Sequence, residues 1–458
     1  MTDHPALIDD HESISRATLD ERVERVGSAL VARRVRALGL LADNGVPWVT
    51  VDRAASRASV PLVPLPGFFT DAQLRSVIER VGLDRLATDD PARVERFPGA
   101  RRARPIAGLA VFEFPGEAEL PAGAVKVTFT SGTTGHPKGV VLGRETLESV
   151  AGATARATGG GPDERHFCIH SLSILLENIA GVDRTLLRRG SVILRSVESR
   201  GVHGACGLDP KRLLTALRKD RATSCILTPA FLEELTARLA RRPEERPGLL
   251  RFVGVGGART PVAVLQTAAS LGVSVFEGYG LSEAGSVLTL NTDGDRALGS
   301  VGRPIEGIEL KIAANGEVLV RGRRAIGYLG EPFSASADGF WATGDFGRLD
   351  PQGRLFLEGR TNDVICTPHG RNVSPRWVEQ VLLDSRVLRS ARVHELPGVG
   401  LVAVVRPAPR RDRDVADAVR RANRLLPDYA RVNQWVMEGA PIRSVRRDSE
   451  DSSCSTTA

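Results

Sequence analysis

Between Thr128 and Leu142 the chain reads TFTSGTTGHPKGVVL, a short span that packs hydroxyls, glycines and one lysine. The stretch AVKVTFT at its start is β-like, so the loop leaves the end of a strand. Glycines let backbone N–H groups turn inward, hydroxyls add donors, and Lys138 supplies a positive point charge. Those groups suit polyphosphate oxygens. The generic phosphate loop G-x-x-x-x-G-K-[ST] does not fit, because Pro137 stands five residues after Gly132 and Gly139 follows Lys138. A solvated Ser/Thr/Gly surface loop is the bland alternative. A strand exit this dense in phosphate-type donors argues against it.

Three other stretches follow in order: VFEGYGLSEAG (275–285), WATGDFGRLDPQGRLFLEGR (341–360) and GRNVSPRWVE (370–379). With the first loop they resemble the AMP-forming adenylating superfamily of acyl-CoA synthetases, peptide-synthetase adenylation domains and luciferases. The segment ADNGVPWVTVDRAASRASVPLVPLPGFFTDAQL is similar to the family's N-terminal subdomain, and the stretch ahead of it looks short for the family. The resemblance thus covers most of the chain. It implies activation of a carboxylic acid by ATP to acyl-AMP and pyrophosphate, followed by transfer to coenzyme A or a carrier-protein phosphopantetheine.

The family's roles carry over residue by residue. Thr130, Ser131, Gly132, Thr133, Thr134, Gly135 and Lys138 would hold the β- and γ-phosphates. Glu283 would bind Mg²⁺, and Ser282, where the family usually has Thr, would contact the α-phosphate. Tyr279 and Gly280 would flank adenine, with the backbone of Gly256, Gly257 and Ala258 on its other edge. Asp345 would take both ribose hydroxyls, and Arg360 would assist at the ribose or phosphate. The resemblance makes Lys138, Ser282, Glu283 and Arg443 the catalytic set.

Arg443 enters through a departure. The family's small domain usually ends with a Gly-Lys pair whose lysine serves adenylation, but no lysine follows Lys311 in this chain. The corresponding region is GAPIRSVRRDSED, where Arg443 or Ser444 takes the position beside Arg446 and Arg447. An arginine keeps the charge with a different reach and a forked geometry. Asn362 stands at the hinge position, and Cys366 replaces a common lysine just beyond it. Within IHSLSILLENIAGVD (169–183), the resemblance puts His170 or Ser171 at the mouth of the acyl pocket, with His170 in a packed or gating role. Within SILLENIAG (173–181), Glu177 is the only acid that could hold a substrate ammonium, which disfavours amino acids. Leu175, Ile179, Val287 and Leu288 suit either a fatty or aromatic acid or ordinary core.

The elements that must position these residues are legible in outline. Short apolar runs alternate with amphipathic helical runs through SVILRSV, PKRLLTALRKD, ATSCILTP, AFLEELTARLA, LLRFVGVGG, PVAVLQTAASLG and VSVFEGYG, which predicts an α/β fold with largely parallel sheets. Near the start, Ser28–Gly39 reads as a helix, and DAQLRSVIERVG as another with a capping Asp71. Beyond Gly302, Asn-Gly and Asp-Pro/Gln-Gly punctuation predicts β-hairpins. The expected organisation is an adenylation domain over 1–361, a small mobile α+β domain over 362–447 and a disordered tail over 448–458.

Composition narrows the partners. The 458 residues carry 62 basic and 55 acidic side chains, a net +7. The charge is spread along the chain and aromatics make up only 5%, so nucleic acid is not an expected partner. No run is apolar enough to span a membrane, so the expected setting is cytoplasmic, with a small carboxylic acid and an acyl carrier protein as candidate partners. Five scattered cysteines give no metal-ligand spacing. Two rivals stand beside the ligase reading. One keeps the adenylation but uses a non-thiol acceptor or an oxyanion such as nitrite. The other is a degenerate nucleotide-binding protein with little turnover.

Overall fold

The structure is a computed structural model that describes residues 4–130, 138–360, 365–385, 387–409 and 411–438. Ser131–Gly135, Thr361, Asn362, Arg443 and the tail over 448–458 lie outside the described residues. The described chain divides into two compact units. The larger holds everything to Arg360 together with Pro368–Gly370, and the smaller holds 365–367 and the chain from Arg371 onward.

Two nine-stranded sheets, one four-stranded antiparallel sheet and a small hairpin, Val202–His203 with Gly207–Leu208, make up the β-structure described in the large unit. In the first, strands Leu38–Leu41, Leu62–Pro64 and Arg85–Thr88 run parallel at the centre. Ala124–Thr130 joins this parallel set and pairs antiparallel with Lys138–Gly143, so the strands on either side of 131–137 are neighbours. In the second, Ser224–Leu227, Phe252–Val255 and Val275–Tyr279 are consecutive parallel strands. Most of their side chains are buried, as the near-continuous apolar runs require. The third sheet contains the expected hairpins, Ile308–Ile312 with Glu317–Gly322 and Trp341–Leu349 with Leu355–Arg360. The smaller unit has a three-stranded sheet, Leu388–Leu396, Gly400–Pro407 and Gln434–Met437, and helices Pro375–Leu383 and Val415–Leu425. The fold is the expected mixed α/β fold.

Local boundaries differ from the sequence reading in three places. The first helix is Arg16–Ala32, not Ser28–Gly39. Ser15 caps it by accepting from the Thr18 N–H, and Leu19, Val23, Val26 and Leu30 form its buried stripe. The charged DERVER run hid that stripe, and Leu38 and Gly39, read as the helix end, begin the strand Leu38–Leu41. The segment VPWVTVDRAASR is a helix over Val46–Arg57, with a proline in its first turn. Thr70, not Asp71, caps Asp71–Val81, in a reciprocal capping box with Gln73.

Candidate active site

Asp345 is the centre of the site. The hairpin register sets Asp345 opposite Arg360, and the Arg360 Nε donates to Asp345 Oδ1 at 2.6 Å. Tyr279 ends a strand of another sheet, and its hydroxyl donates to Asp345 Oδ2 at 2.7 Å. The Asp345 backbone N–H is held by the Thr343 hydroxyl at 3.1 Å. Asp345 is 6% exposed, so its charge is stabilised mainly by these partners. Burial first, and the Asp345 carboxylate second, push the Tyr279 phenol well above its ordinary value. Tyr279 therefore stays a proton donor. A carboxylate offers about four acceptor positions, so Asp345 keeps capacity for two further hydroxyl donors.

A second cluster joins the Lys138–Gly143 strand to the YGLSE turn. Lys138 is exposed at the start of Lys138–Gly143, across from Thr130 in the register. Glu283 lies in a short 3-10 turn, Ser282–Ala284. Tyr328 stands between them: its hydroxyl donates to Glu283 Oε1 at 3.1 Å, and Lys138 Nζ sits 3.3 Å from its ring centre. Burial and then the Glu283 charge push the Tyr328 phenol above its ordinary value. Gly280 opens the turn, and a Cβ there would fall 1.5 Å from the Ser286 carbonyl oxygen. No other residue fits that position. Ser286 itself has φ of 116°, an uncommon conformation for a residue with a side chain.

Gly256–Ala258 follow strand Phe252–Val255, whose register sets Val255 beside Glu277. Gly257 has φ of 87°, the left-handed region that favours glycine. Glu277 lies two residues before Tyr279, so both side chains leave the same face of the strand. Burial pushes its carboxyl up to about 7, although Thr260 and the Gly299 N–H hydrogen-bond to it.

The pocket segment is a π-helix, Glu177–Asp183, continuing into Arg184–Leu187. Glu177 is 0% exposed: one carboxylate oxygen meets His166 Nε2 at 2.9 Å and the other accepts from the His170 N–H at 2.9 Å. His166 continues through Ser224 to Glu164, which pairs with Arg184 at 2.5 Å. Asn178, the next residue, donates to Asp52, which pairs with Lys126 at 2.7 Å. Glu177 is thus committed to the core. The four apolar residues pack in one cluster with Tyr279, and Ile179 and Leu288 have no exposed surface. These two are core. His170 is buried and stacks on Phe231, with ring centres 5.4 Å apart.

Residues 1–329, well over half of the chain, match the AMP-binding enzyme family. The chain belongs to that family. It is an ATP-dependent, AMP-forming acid ligase of the acyl-CoA-synthetase type. A (7a-methyl-1,5-dioxo-octahydro-1H-inden-4-yl)propanoyl:CoA ligase from Mycobacterium tuberculosis is 29% identical over 445 residues, 87% of this chain and 84% of that protein. A 2-succinylbenzoate–CoA ligase from Bacillus mycoides is 27% identical over 418 residues, 85% of this chain and 82% of that protein. Among solved structures, the amide bond synthetase of Marinactinospora thermotolerans superposes with a TM-score of 0.80 at 25% identity, covering 95% of this chain and 93% of that one. A malonyl-CoA ligase holding methylmalonyl-CoA and AMP gives 0.76 at 25% identity, covering 96% of both chains.

In this AMP-binding enzyme, two residues of the site escaped the sequence reading. Glu277 sits inside the quoted VFEGYGLSEAG stretch, and strand alternation with Tyr279 was the available signal. Tyr328 lies 45 residues from Glu283 within a predicted hairpin, and no local spacing ties the two. Among the described residues, no helix is long and apolar enough to cross a membrane.

Proposed function

We propose that this chain binds MgATP through Thr130–Gly135, Lys138, Ser282, Glu283, Asp345 and Arg360, and adenylates an apolar carboxylic acid that is then passed to coenzyme A. The observation that carries this reading is the convergence on Asp345. One buried carboxylate, oriented by Arg360 and Tyr279 from two sheets, is shaped to accept a pair of ribose hydroxyls. Magnesium fits the donor set, because it prefers oxygen ligands and is commonly held by one carboxylate, substrate phosphates and water. Glu283 would hold it, since its carboxylate is half-exposed and one oxygen is already oriented by Tyr328. When bound, the ion neutralises charge on the phosphates.

The remaining work falls to the chain's own groups. A substrate carboxylate oxygen attacks the α-phosphorus, the bond to the bridging oxygen breaks, and pyrophosphate leaves. Lys138 and the loop N–H groups stabilise the charge that accumulates on the departing phosphates. A thiolate then attacks the acyl carbon and AMP departs. The engagement of Glu177 with His166, and of Asp183 with Arg53 at 3.1 Å, supports a neutral apolar acid over an amino acid, since both acids of the Glu177–Asp183 segment already have partners.

Pyrophosphate release across a panel of fatty, aromatic and amino acids tests the first step. Mass spectra of products with coenzyme A, with a phosphopantetheinylated carrier protein and with amines test the second. Release only with apolar acids, and a coenzyme A thioester as product, is the expected result. The likeness to an amide bond synthetase favours an amine acceptor as the second reading, and an amide formed in preference to a thioester would establish it. No pyrophosphate with any acid would favour a binding protein.

A further inference from the structure

We propose that Tyr328 is a positioning residue that aims Glu283 at the metal and keeps Lys138 beside it. The proposal rests on the reading above, in which Glu283 serves magnesium and Lys138 the phosphates. Tyr328 comes from a two-residue strand, Gly327–Tyr328, that pairs antiparallel with Lys138–Gly143. It stands opposite Val140, which makes Lys138 its diagonal neighbour on the same face. The ammonium of Lys138 lies over the ring, where the electron-rich face attracts a cation.

The rest of the tyrosine is committed to fixed structure. Its ring stacks with Phe333 at 6.0 Å, and Phe333 meets Trp341 edge-on at 5.3 Å at the start of the Asp345 strand. The loop before it is tied to the same turn by the Ala325 N–H, which donates to the Glu283 carbonyl at 2.6 Å. The Thr146 hydroxyl holds the adjoining Arg324 carbonyl at 2.8 Å. A rigid ring therefore presents its hydroxyl to one oxygen of Glu283 and leaves the other oxygen for a ligand.

Magnesium would depend on this orientation more than bare nucleotide does. Tyr328→Phe removes the hydroxyl and keeps the ring; Tyr328→Leu removes both. Calorimetric titration of ATP at a series of magnesium concentrations separates the two contributions. Tyr328→Phe should raise the magnesium concentration that half-restores ATP affinity by about tenfold, the low end for loss of a residue behind a metal ligand, with metal-free ATP binding unchanged. Tyr328→Leu should also weaken metal-free binding, because Lys138 loses its seat. In a Glu283→Gln background, Tyr328→Phe should add nothing. A wild-type magnesium requirement in Tyr328→Phe, or an effect additive with Glu283→Gln, would overturn the proposal while leaving the metal assignment standing. An unchanged requirement in Glu283→Gln itself would overturn both.

Discussion

At the scale of single residues, charge at Asp345 is the feature to remove. Asp345→Asn preserves shape but no longer offers Arg360 a negative partner or two equal acceptors. ATP affinity should fall roughly 10- to 100-fold, and stability by about 1–3 kcal/mol as the arginine loses its ionic partner. Calorimetry and urea denaturation measure the two losses separately. Glu277 gives a different signature. Its carboxyl titrates near 7 in the fold against 4.5 in an exposed chain, so the fold favours the protonated form. Its stabilising contribution is complete below about pH 4.5 and is lost as pH rises through about 7, a decline of up to about 3 kcal/mol. Glu277→Gln, which stays neutral, should flatten that slope in denaturation curves taken between about pH 5 and pH 8. An identical slope in both proteins would assign the pH dependence to another group. Most of the described site residues lie in motifs legible in the sequence, because their chemistry needs particular side chains at close spacing. Tyr328 was not legible, because a diagonal contact between strands leaves no spacing to read.

Among the elements, the π-helix Glu177–Asp183 has the least direct sequence signal. Its extra width goes with what it must accommodate. Gly181 passes so close to the His166–Glu177 pair that a Cβ there would fall 2.5 Å from Glu177 Oε1. Asn178 faces the other network, where it meets both Lys126 and Asp52. Lys126→Met should strand the Asp52 charge in the interior and destabilise the protein by about 3–5 kcal/mol. Pairing it with Asp52→Leu should recover much of that loss, since an apolar pair of similar volume replaces two buried charges. Chemical denaturation of the single and double variants decides between this and a loss due to packing alone, which the second change would deepen. Strand and helix alternation was readable here because buried parallel strands are short and uniformly apolar. The Val46–Arg57 helix was missed because its polar and small residues, Asp52 among them, are buried in a network instead of facing water.

For the molecule as a whole, the sequence gives the order of the motifs but not their meeting. Tyr279 and Asp345 are 66 residues apart and come from different sheets, and only the folded topology brings their oxygens to 2.7 Å. The chain's last cationic cluster, Arg443 with Arg446 and Arg447, remains a proposal from sequence. If Arg443 supplies the charge that the family draws from lysine, Arg443→Ala should slow acyl-AMP formation by about 100-fold, with the triple variant slower still. ATP binding by the large unit should persist in both. Single-turnover formation of radiolabelled acyl-AMP, set beside calorimetric ATP binding, checks this, and wild-type rates in the triple variant would remove the cluster from the reaction.

The 1.5 Å clearance at Gly280 has a consequence for how this enzyme is probed. In a saturation library screened for turnover, position 280 should be as intolerant as Glu283 or Asp345, and a ranking by lost activity would place all three together. They should separate when each variant is scored for soluble yield and melting temperature. Substitutions at 280 should fail before any substrate is added, because the backbone has no room for a side chain. Conservative changes at 283 should still give folded protein, and only those report on the reaction.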